Sequence, residues 1–242
     1  MSGKVVLSTR KHEQSDIDLF RSNGYKLITY PLLTFEYSIP DAGIKDLQIQ
    51  KSTGWIVTSK NGARGLLKLL ESGARLPNPE MIAATGPKTA EPLAGLDKDV
   101  YVPETQNAGG IARFIIENRA DLNWIHFCGN LTRPELGQKL QDYDIGYQTV
   151  EVYQTMKAPE LPDTLPLADA VMFYSPSAVS VWFKHFPEYI NSNRPVCVAI
   201  GPTTRDAFKS FTRHNCVMAE QPNISAMLEA VRQSTSHDSL NG

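Results

Sequence analysis

The chain has 242 residues, 41% of them hydrophobic and 21% charged, with a formal net charge of −2. That length is long for one compact α/β unit and suits two of about 120 residues each. So small a charge gives no global field for nucleic acid or an anionic membrane, and no apolar stretch approaches the roughly 20 residues needed to span a bilayer.

After Lys4 the apolar run is only Val5-Val6-Leu7, so no secretory signal is expected. Cys128, Cys197 and Cys216 are odd in number, far apart and embedded in apolar strand patterns, with no C-x-x-C spacing. They read as buried reduced thiols, which places the chain in the cytosol. The five histidines form no ligand spacing with carboxylates or thiols, so no metal is expected.

In chain order, Val5-Val6-Leu7 is a buried strand that ends in Ser8-Thr9-Arg10. A helix with Ile17 and Phe20 on one face follows and stops at Asn23-Gly24. Tyr25 to Tyr30 is a second strand. From Pro31 to about Lys51, with breaks at Pro40 and Gly43, the pattern suggests a crossing between two bodies plus one short helix. Trp55 to Ser59 is a strand, and the next helix carries Ala63, Leu66, Leu67 and Leu70 at helical spacing. The strand at Met81 to Ala84 breaks at Thr85-Gly86-Pro87-Lys88-Thr89. Beyond it lie a short strand at Val100, a helix from about Gly109, a strand from Trp124 to Cys128 and a helix near Pro134 to Leu140. Ile145 to Tyr153 is strand-like. Pro159, Pro162 and Pro166 then mark an irregular link. Val171 to Ser175 is a strand, and its helix places Ala178, Val181, Trp182 and Phe186 inward. His185 reads as packing. Val196 to Ile200 is a strand broken by Gly201-Pro202-Thr203-Thr204, and after Cys216-Val217-Met218 a last helix carries Ile224, Met227, Leu228 and Val231. The residues from Ser234 onward read as a polar tail.

Two stretches repeat one sentence: an apolar strand, a glycine, then a helix entered through proline with hydroxyl side chains. Helix starts of this kind suit carboxylate or phosphate. Ser59 and Ser175, Gly86 and Gly201, and Glu104 and Glu220 all recur at an offset of about 116 residues. Gly24-Tyr25 and Gly146-Tyr147 recur at an offset of about 122. The chain therefore holds two copies of one βα repeat, with parallel sheets covered by helices on both faces. Ligands of such sheets bind beyond the carboxyl ends of the strands, where Thr9, Ser59, Gly86, Ser175 and Gly201 fall. Serine and threonine at such turns also serve as plain N-caps, and either role fits any single turn. The absence of G-x-G-x-x-G after a strand, of a P-loop and of a G-x-S-x-G elbow sets aside nucleotide cofactors and acyl hydrolysis.

Tyr174-Ser175-Pro176-Ser177, Ala199 to Thr204, and Glu151-Val152-Tyr153-Gln154-Thr155 before a proline-rich link resemble the uroporphyrinogen-III synthase family, as do Leu7 to Arg10 and Thr58-Ser59. The resemblance spans essentially the whole chain. It implies two Rossmann-like, doubly wound α/β lobes joined by a two-stranded linker, with the chain crossing over and back. One lobe would combine residues 1–36 and 158–242, the other 40–150, with 36–40 and 150–158 as linker. The implied reaction closes hydroxymethylbilane while inverting ring D, with loss of water and without a cofactor or metal. The alternative, from a different class, is a non-catalytic two-lobed binder of a tetrapyrrole or another polycarboxylate.

The resemblance points to Tyr153 as the catalytic proton donor. It implies Thr9, Arg10, Ser59, Gly86, Thr89, Ser175, Ser177, Gly201, Thr203 and Thr204 as substrate contacts. Two positions depart from expectation: Lys11 follows Arg10 where the family pattern has proline, and Lys60 follows Ser59 where the matching Ser175 is followed by Pro176. No heptad or aromatic-rich extra segment calls for a dimer, so a monomer is expected, with a small-molecule substrate as its partner and neither nucleic acid nor membrane.

Overall fold

A computed structural model describes residues 3–37 and 52–237, with the backbone alone at 236 and 237. In chain order the elements are β1 (Lys4–Ser8), α1 (Gln14–Ser22), β2 (Tyr25–Thr29), β3 (Leu33–Glu36), β4 (Thr53–Val57), α2 (Lys60–Glu71), β5 (Met81–Ala84), α3 (Pro87–Ala90) and β6 (Val100–Tyr101). There follow α4 (Ala108–Asn118), β7 (Asn123–Gly129), α5 (Glu135–Gln141), β8 (Tyr147–Lys157), β9 (Ala170–Phe173), α6 (Pro176–His185), α7 (Tyr189–Asn193), β10 (Val196–Ala199), α8 (Pro202–Lys209), β11 (Cys216–Met218) and α9 (Ile224–His237). The crossing and short helix expected up to Lys51 fall mostly outside the described residues. Their described beginning contains β3, a strand the proline punctuation concealed.

The chain divides into two compact units. One holds residues 1–34 and 157–242, the other residues 35–156. In the first unit five strands run in the order β11-β10-β9-β1-β2, all neighbours parallel. Strand alternation sends Leu7, Val171, Phe173, Cys197 and Ala199 to one face, where Ala178, Val179 and Trp182 of α6 and Phe208 of α8 cover them. Val6, Ala170, Met172 and Val198 take the other face against Phe20 of α1 and Met227, Leu228 and Val231 of α9. Helices thus cover both faces, as a doubly wound sheet requires. The expected polar tail is instead partly helix. Thr235 is buried, its hydroxyl 2.9 Å from the Tyr25 hydroxyl, and its carbonyl accepts from Lys4 Nζ at 2.7 Å.

In the second unit the sheet order is β3-β8-β7-β4-β5-β6, with β8-β7, β7-β4, β4-β5 and β5-β6 parallel. Trp55, Val57, Ile125, Phe127, Val150 and Val152 pack against Ala63, Leu66 and Leu69 of α2. Ile56, Ala83 and Trp124 pack against Ile111, Ala112 and Ile115 of α4 and Leu136 and Leu140 of α5. On α2 the inward position is Leu69, fully covered, while Leu67 and Leu70 flank it half-buried. The helix sits low because Gly65 carries no side chain. A Cβ there would lie 2.6 Å from a Val152 methyl. Cys128, Cys197 and Cys216 are buried free thiols, as expected.

The two sheets share one spatial plan. β2, β1, β9, β10 and β11 occupy the places that β8, β7, β4, β5 and β6 occupy in the other unit. In each, the winding direction reverses between two central strands, β1 and β9 or β7 and β4. Loops diverge to opposite faces at such a switch point and leave a crevice at the carboxyl ends.

Candidate functional site

At the switch point of the second unit, β4 is followed two residues on by Ser59, whose Oγ accepts from Gly62 N–H at 2.9 Å and caps α2. The same oxygen lies 3.1 Å from the Tyr153 hydroxyl. Tyr153 reaches it across Gly129, the last residue of the intervening strand β7. Two features of the backbone make that reach possible. Gly129 has no side chain, and a Cβ there would lie 2.5 Å from the Tyr153 ring. A bulge between Cys128 and Gly129 also shifts the register, so that Cys128 pairs with Glu151 but Gly129 pairs with Tyr153. The extra residue breaks the alternation, and consecutive Val152 and Tyr153 both pack on the α2 face.

Phe35 meets the Tyr153 ring edge-on with centroids 6.1 Å apart, and Tyr37 lies at 6.4 Å. Tyr37 is itself fixed, its hydroxyl donating to Asn61 Oδ1 at 3.2 Å and its ring lying under Lys68 Nζ at 4.6 Å. Burial pushes the Tyr153 phenol above its ordinary pKa, and the Ser59 hydrogen bond partly offsets that rise. The phenol therefore keeps its proton at neutral pH.

Beside Ser59 lies a buried polar chain that sequence reasoning missed. His126, 1% exposed in the middle of β7, has Nε2 at 2.9 Å from Thr58 Oγ1 and Nδ1 at 2.7 Å from the Tyr147 hydroxyl. Burial lowers its pKa to about 4. The only sequence signal was an imidazole inside an otherwise apolar strand. Thr85 Oγ1 donates to Thr58 O at 3.0 Å and stands 3.4 Å from Thr89 Oγ1, which links the first Gly-Pro turn to the same edge of the sheet.

In the first unit, Ser175 caps α6 by accepting from Ala178 N–H at 3.1 Å. Ser177, two residues on, is half-buried. Thr9 is turned inward. Its N–H and its hydroxyl both donate to Met172 O, at 3.1 and 3.0 Å. Arg10 is exposed, with its guanidinium carbon 4.0 Å above the Tyr174 ring. Beneath it Ser8, His12 and Asp16 form a second buried group that sequence reasoning did not assemble.

The two Gly-Pro turns differ. Gly201 opens the eight-residue α8, with Thr204 buried and Thr203 exposed. Gly86 opens only the four-residue α3, which continues as a single 3-10 turn at Glu91–Leu93. The dipole of so short a helix is weak, so the first turn depends on individual donors. Both glycines have extended backbone, φ −172° at Gly86 and −174° at Gly201, which any residue adopts. A Cβ at Gly201 would meet no atom within 4 Å. The Thr204 hydroxyl makes no hydrogen bond among the described residues, although the residue is only 2% exposed.

A family model described as uroporphyrinogen-III synthase HemD matches residues 15–229. Uroporphyrinogen-III synthetase from Helicobacter pylori 26695 has a similar structure, with a TM-score of 0.67 at 18% identity over 96% of this chain and 99% of that one. A mutant uroporphyrinogen III synthase from the extremely thermophilic bacterium Thermus thermophilus gives a TM-score of 0.63 at 19% identity, over 97% and 99%. At such identities the two structures establish the fold, which is the two-sheet α/β architecture expected.

Proposed function

Because the chain belongs to the uroporphyrinogen-III synthase family, cyclising lyases of tetrapyrrole biosynthesis, we propose that Tyr153 is its proton donor and that the turns at the switch points hold its substrate. The reaction closes hydroxymethylbilane to uroporphyrinogen III with loss of water and inversion of ring D. Closure without help gives the type I isomer, so the protein's task is largely to hold the chain folded for attack through the substituted carbon of ring D.

One observation carries the reading: the Tyr153 hydroxyl stands 3.1 Å from Ser59 Oγ. That oxygen already accepts the Gly62 amide, so its own proton is free to turn toward the phenol oxygen. The Tyr153 proton then points to the departing hydroxyl of ring A, and Ser59 supports the charge that grows on the phenol. A phenol with a raised pKa is a weak acid. Its contribution is a hydrogen bond that strengthens as the hydroxyl leaves, rather than early proton transfer.

The substrate carries carboxylates on every ring, and the remaining groups suit them. Arg10 supplies a cation, and Gly86, Thr89, Ser175, Ser177, Gly201, Thr203 and Thr204 supply hydroxyl or backbone contacts. Thr9, whose N–H and hydroxyl both donate to Met172 O, and Ser59, whose proton turns to the phenol, shape the turns on which substrate rests. The open space over Gly201 and the Thr204 hydroxyl, which makes no hydrogen bond among the described residues, support that use of the second turn. In this reading residues 1–36 with 158–242 act as one lobe, 40–150 as the other, and 36–40 with 150–158 as the linker. The contact division after residues 34 and 156 supports it. The chain acts as a cytosolic monomer on a small molecule, without cofactor, metal or nucleic acid. Three buried free thiols fit a reducing compartment, and a net charge of −2 provides no pull on nucleic acid. No described helix is long and apolar enough to cross a membrane.

The test is to supply hydroxymethylbilane and separate the isomers formed. Type III at a rate well above spontaneous closure, lost in Tyr153→Phe, is the expected result. Type I alone at the spontaneous rate would overturn the reading.

A further inference from the structure

Ser8, His12 and Asp16 form a hydrogen-bonded series at the switch point of the first unit. Ser8 Oγ is 2.8 Å from His12 Nε2, and His12 Nδ1 is 2.8 Å from Asp16 Oδ2. The order of residues is that of a hydrolase triad, but the environment is not. Ser8 is wholly buried, and its hydroxyl is already enclosed by Arg10, with Arg10 N at 3.3 Å and Arg10 O at 3.2 Å. No acyl group can approach it.

The hydrogen-bond directions follow from the carboxylate. Asp16 only accepts, so His12 Nδ1 carries the proton and Nε2 is left as an acceptor. The single Ser8 proton then goes to Nε2, and Ser8 Oγ receives the Arg10 N–H. This fixes the backbone of the Arg10 turn. The side chain is fixed by a second contact of the same imidazole. The His12 ring meets Tyr174 edge-on at 5.4 Å, and the Arg10 guanidinium lies 4.0 Å over the other ring surface of this pair, that of Tyr174. The His12 side chain is fully buried, while Arg10 is exposed and makes no ion pair among the described residues. The result is a cation with an ordered base and a head that no described carboxylate claims.

The second unit also places an imidazole beside its switch point, by a different route. Ser8 pairs with Met172, and His126 pairs with Ile56, which holds the matching place in the other copy of the repeat. There the histidine is on the strand itself. Here a serine on the strand recruits a histidine from the following loop.

We propose that His12, held by Asp16, is a positioning residue that acts through Ser8 and Tyr174 to hold the Arg10 guanidinium where it receives a substrate carboxylate. The inference rests on the reading of Arg10 given above, and its test separates the two. Initial rates of uroporphyrinogen III formation from hydroxymethylbilane are measured for Arg10→Ala, His12→Gln and the double variant. Arg10→Ala raises KM about tenfold, the worth of a charge-assisted hydrogen bond, with kcat changed less than about twofold. His12→Gln raises KM severalfold in the parent and adds nothing in the Arg10→Ala background. Ser8→Ala, which cuts the link but keeps the His12–Asp16 pair, reproduces the KM change should His12→Gln fold poorly. An unchanged KM in Arg10→Ala would remove Arg10 from substrate binding. A raised KM in Arg10→Ala with no effect of His12→Gln or Ser8→Ala, or an undiminished effect of either in the double variant, would overturn the positioning role alone.

Discussion

The Tyr153 ring lies directly on Gly129: a Cβ on that glycine would stand 2.5 Å from the ring and 2.6 Å from its neighbouring carbon. The glycine is what lets a side chain on β8 cross β7 and meet Ser59 just beyond the end of β4. A substitution at Gly129 therefore acts on Tyr153 without touching its chemistry. Gly129→Ala should displace the ring, break its contact with Ser59 and lower kcat by about tenfold or more, with a stability loss of about 1–3 kcal/mol from overpacking. Assays of turnover and urea unfolding on the purified variant check both numbers. Full activity would mean that the ring's position is immaterial.

Tyr153→Phe removes the phenol and keeps the ring against Gly129, Phe35 and Tyr37. Turnover should fall by about 10²-fold or more, the usual contribution of a positioned proton donor. Stability should move by no more than about 1 kcal/mol, the net worth of one hydrogen bond. Isomer analysis at long times should find type I accumulating from spontaneous closure.

His126 makes stability depend on pH. Its folded pKa of about 4 lies below the unfolded value of 6.5, so between these values the unfolded chain binds the proton and the folded chain does not. The neutral ring costs nothing above about pH 6.5. Stability is lost as the pH falls from there toward 4, by about 2 kcal/mol at pH 5 relative to pH 7. Denaturant melts at the two pH values should show this difference, and it should shrink by about the same amount in His126→Asn, whatever that substitution does to stability at pH 7. His12, also lowered by burial, contributes in the same direction and remains in the variant.

Thr204→Val removes a hydroxyl that has no protein partner among the described residues, in a buried position. Since no described residue loses a hydrogen bond, the melting temperature should hold or rise slightly. If the hydroxyl serves the substrate, kcat/KM should drop by about tenfold. A variant that is both stable and fully active would remove Thr204 from the site.

Gly201→Ala gives the same contrast by steric means. Its φ of −174° suits alanine, and the added methyl meets nothing within 4 Å. Thermal stability should therefore fall by no more than about 1 kcal/mol, the usual preference for glycine over alanine at the N-cap of a helix such as α8, while KM for hydroxymethylbilane rises. An unaltered KM would mean that substrate does not approach this turn.

The sequence by itself determined what is local. Short apolar runs marked β1, β9 and β10 as buried strands, and helical spacing found Met227, Leu228 and Val231 of α9. The Gly-Pro turns and the serine turns marked the carboxyl ends of the strands, because chain breaks and caps are written in a few adjacent residues. The recurrence at about 116 residues exposed the duplication. It could not say which long piece β1 and β2 would join. The pairing of Ser8 with Met172 decides that, and such pairing depends on hydrogen bonds between segments far apart in the chain. Tyr153 is the sharpest case. The family motif picks out the residue, but strict alternation from Val150 and Val152 would send its ring to the opposite face, away from Ser59. One unpaired residue at the Cys128–Gly129 bulge reverses that. His12 was hidden for a related reason. Its partners Ser8 and Asp16 are near in sequence, but only the packing of Tyr174 from the end of β9 gives the group a direction and sets Arg10 above it. Local sequence fixes which atoms are available, and the long-range pairing of strands decides where they point.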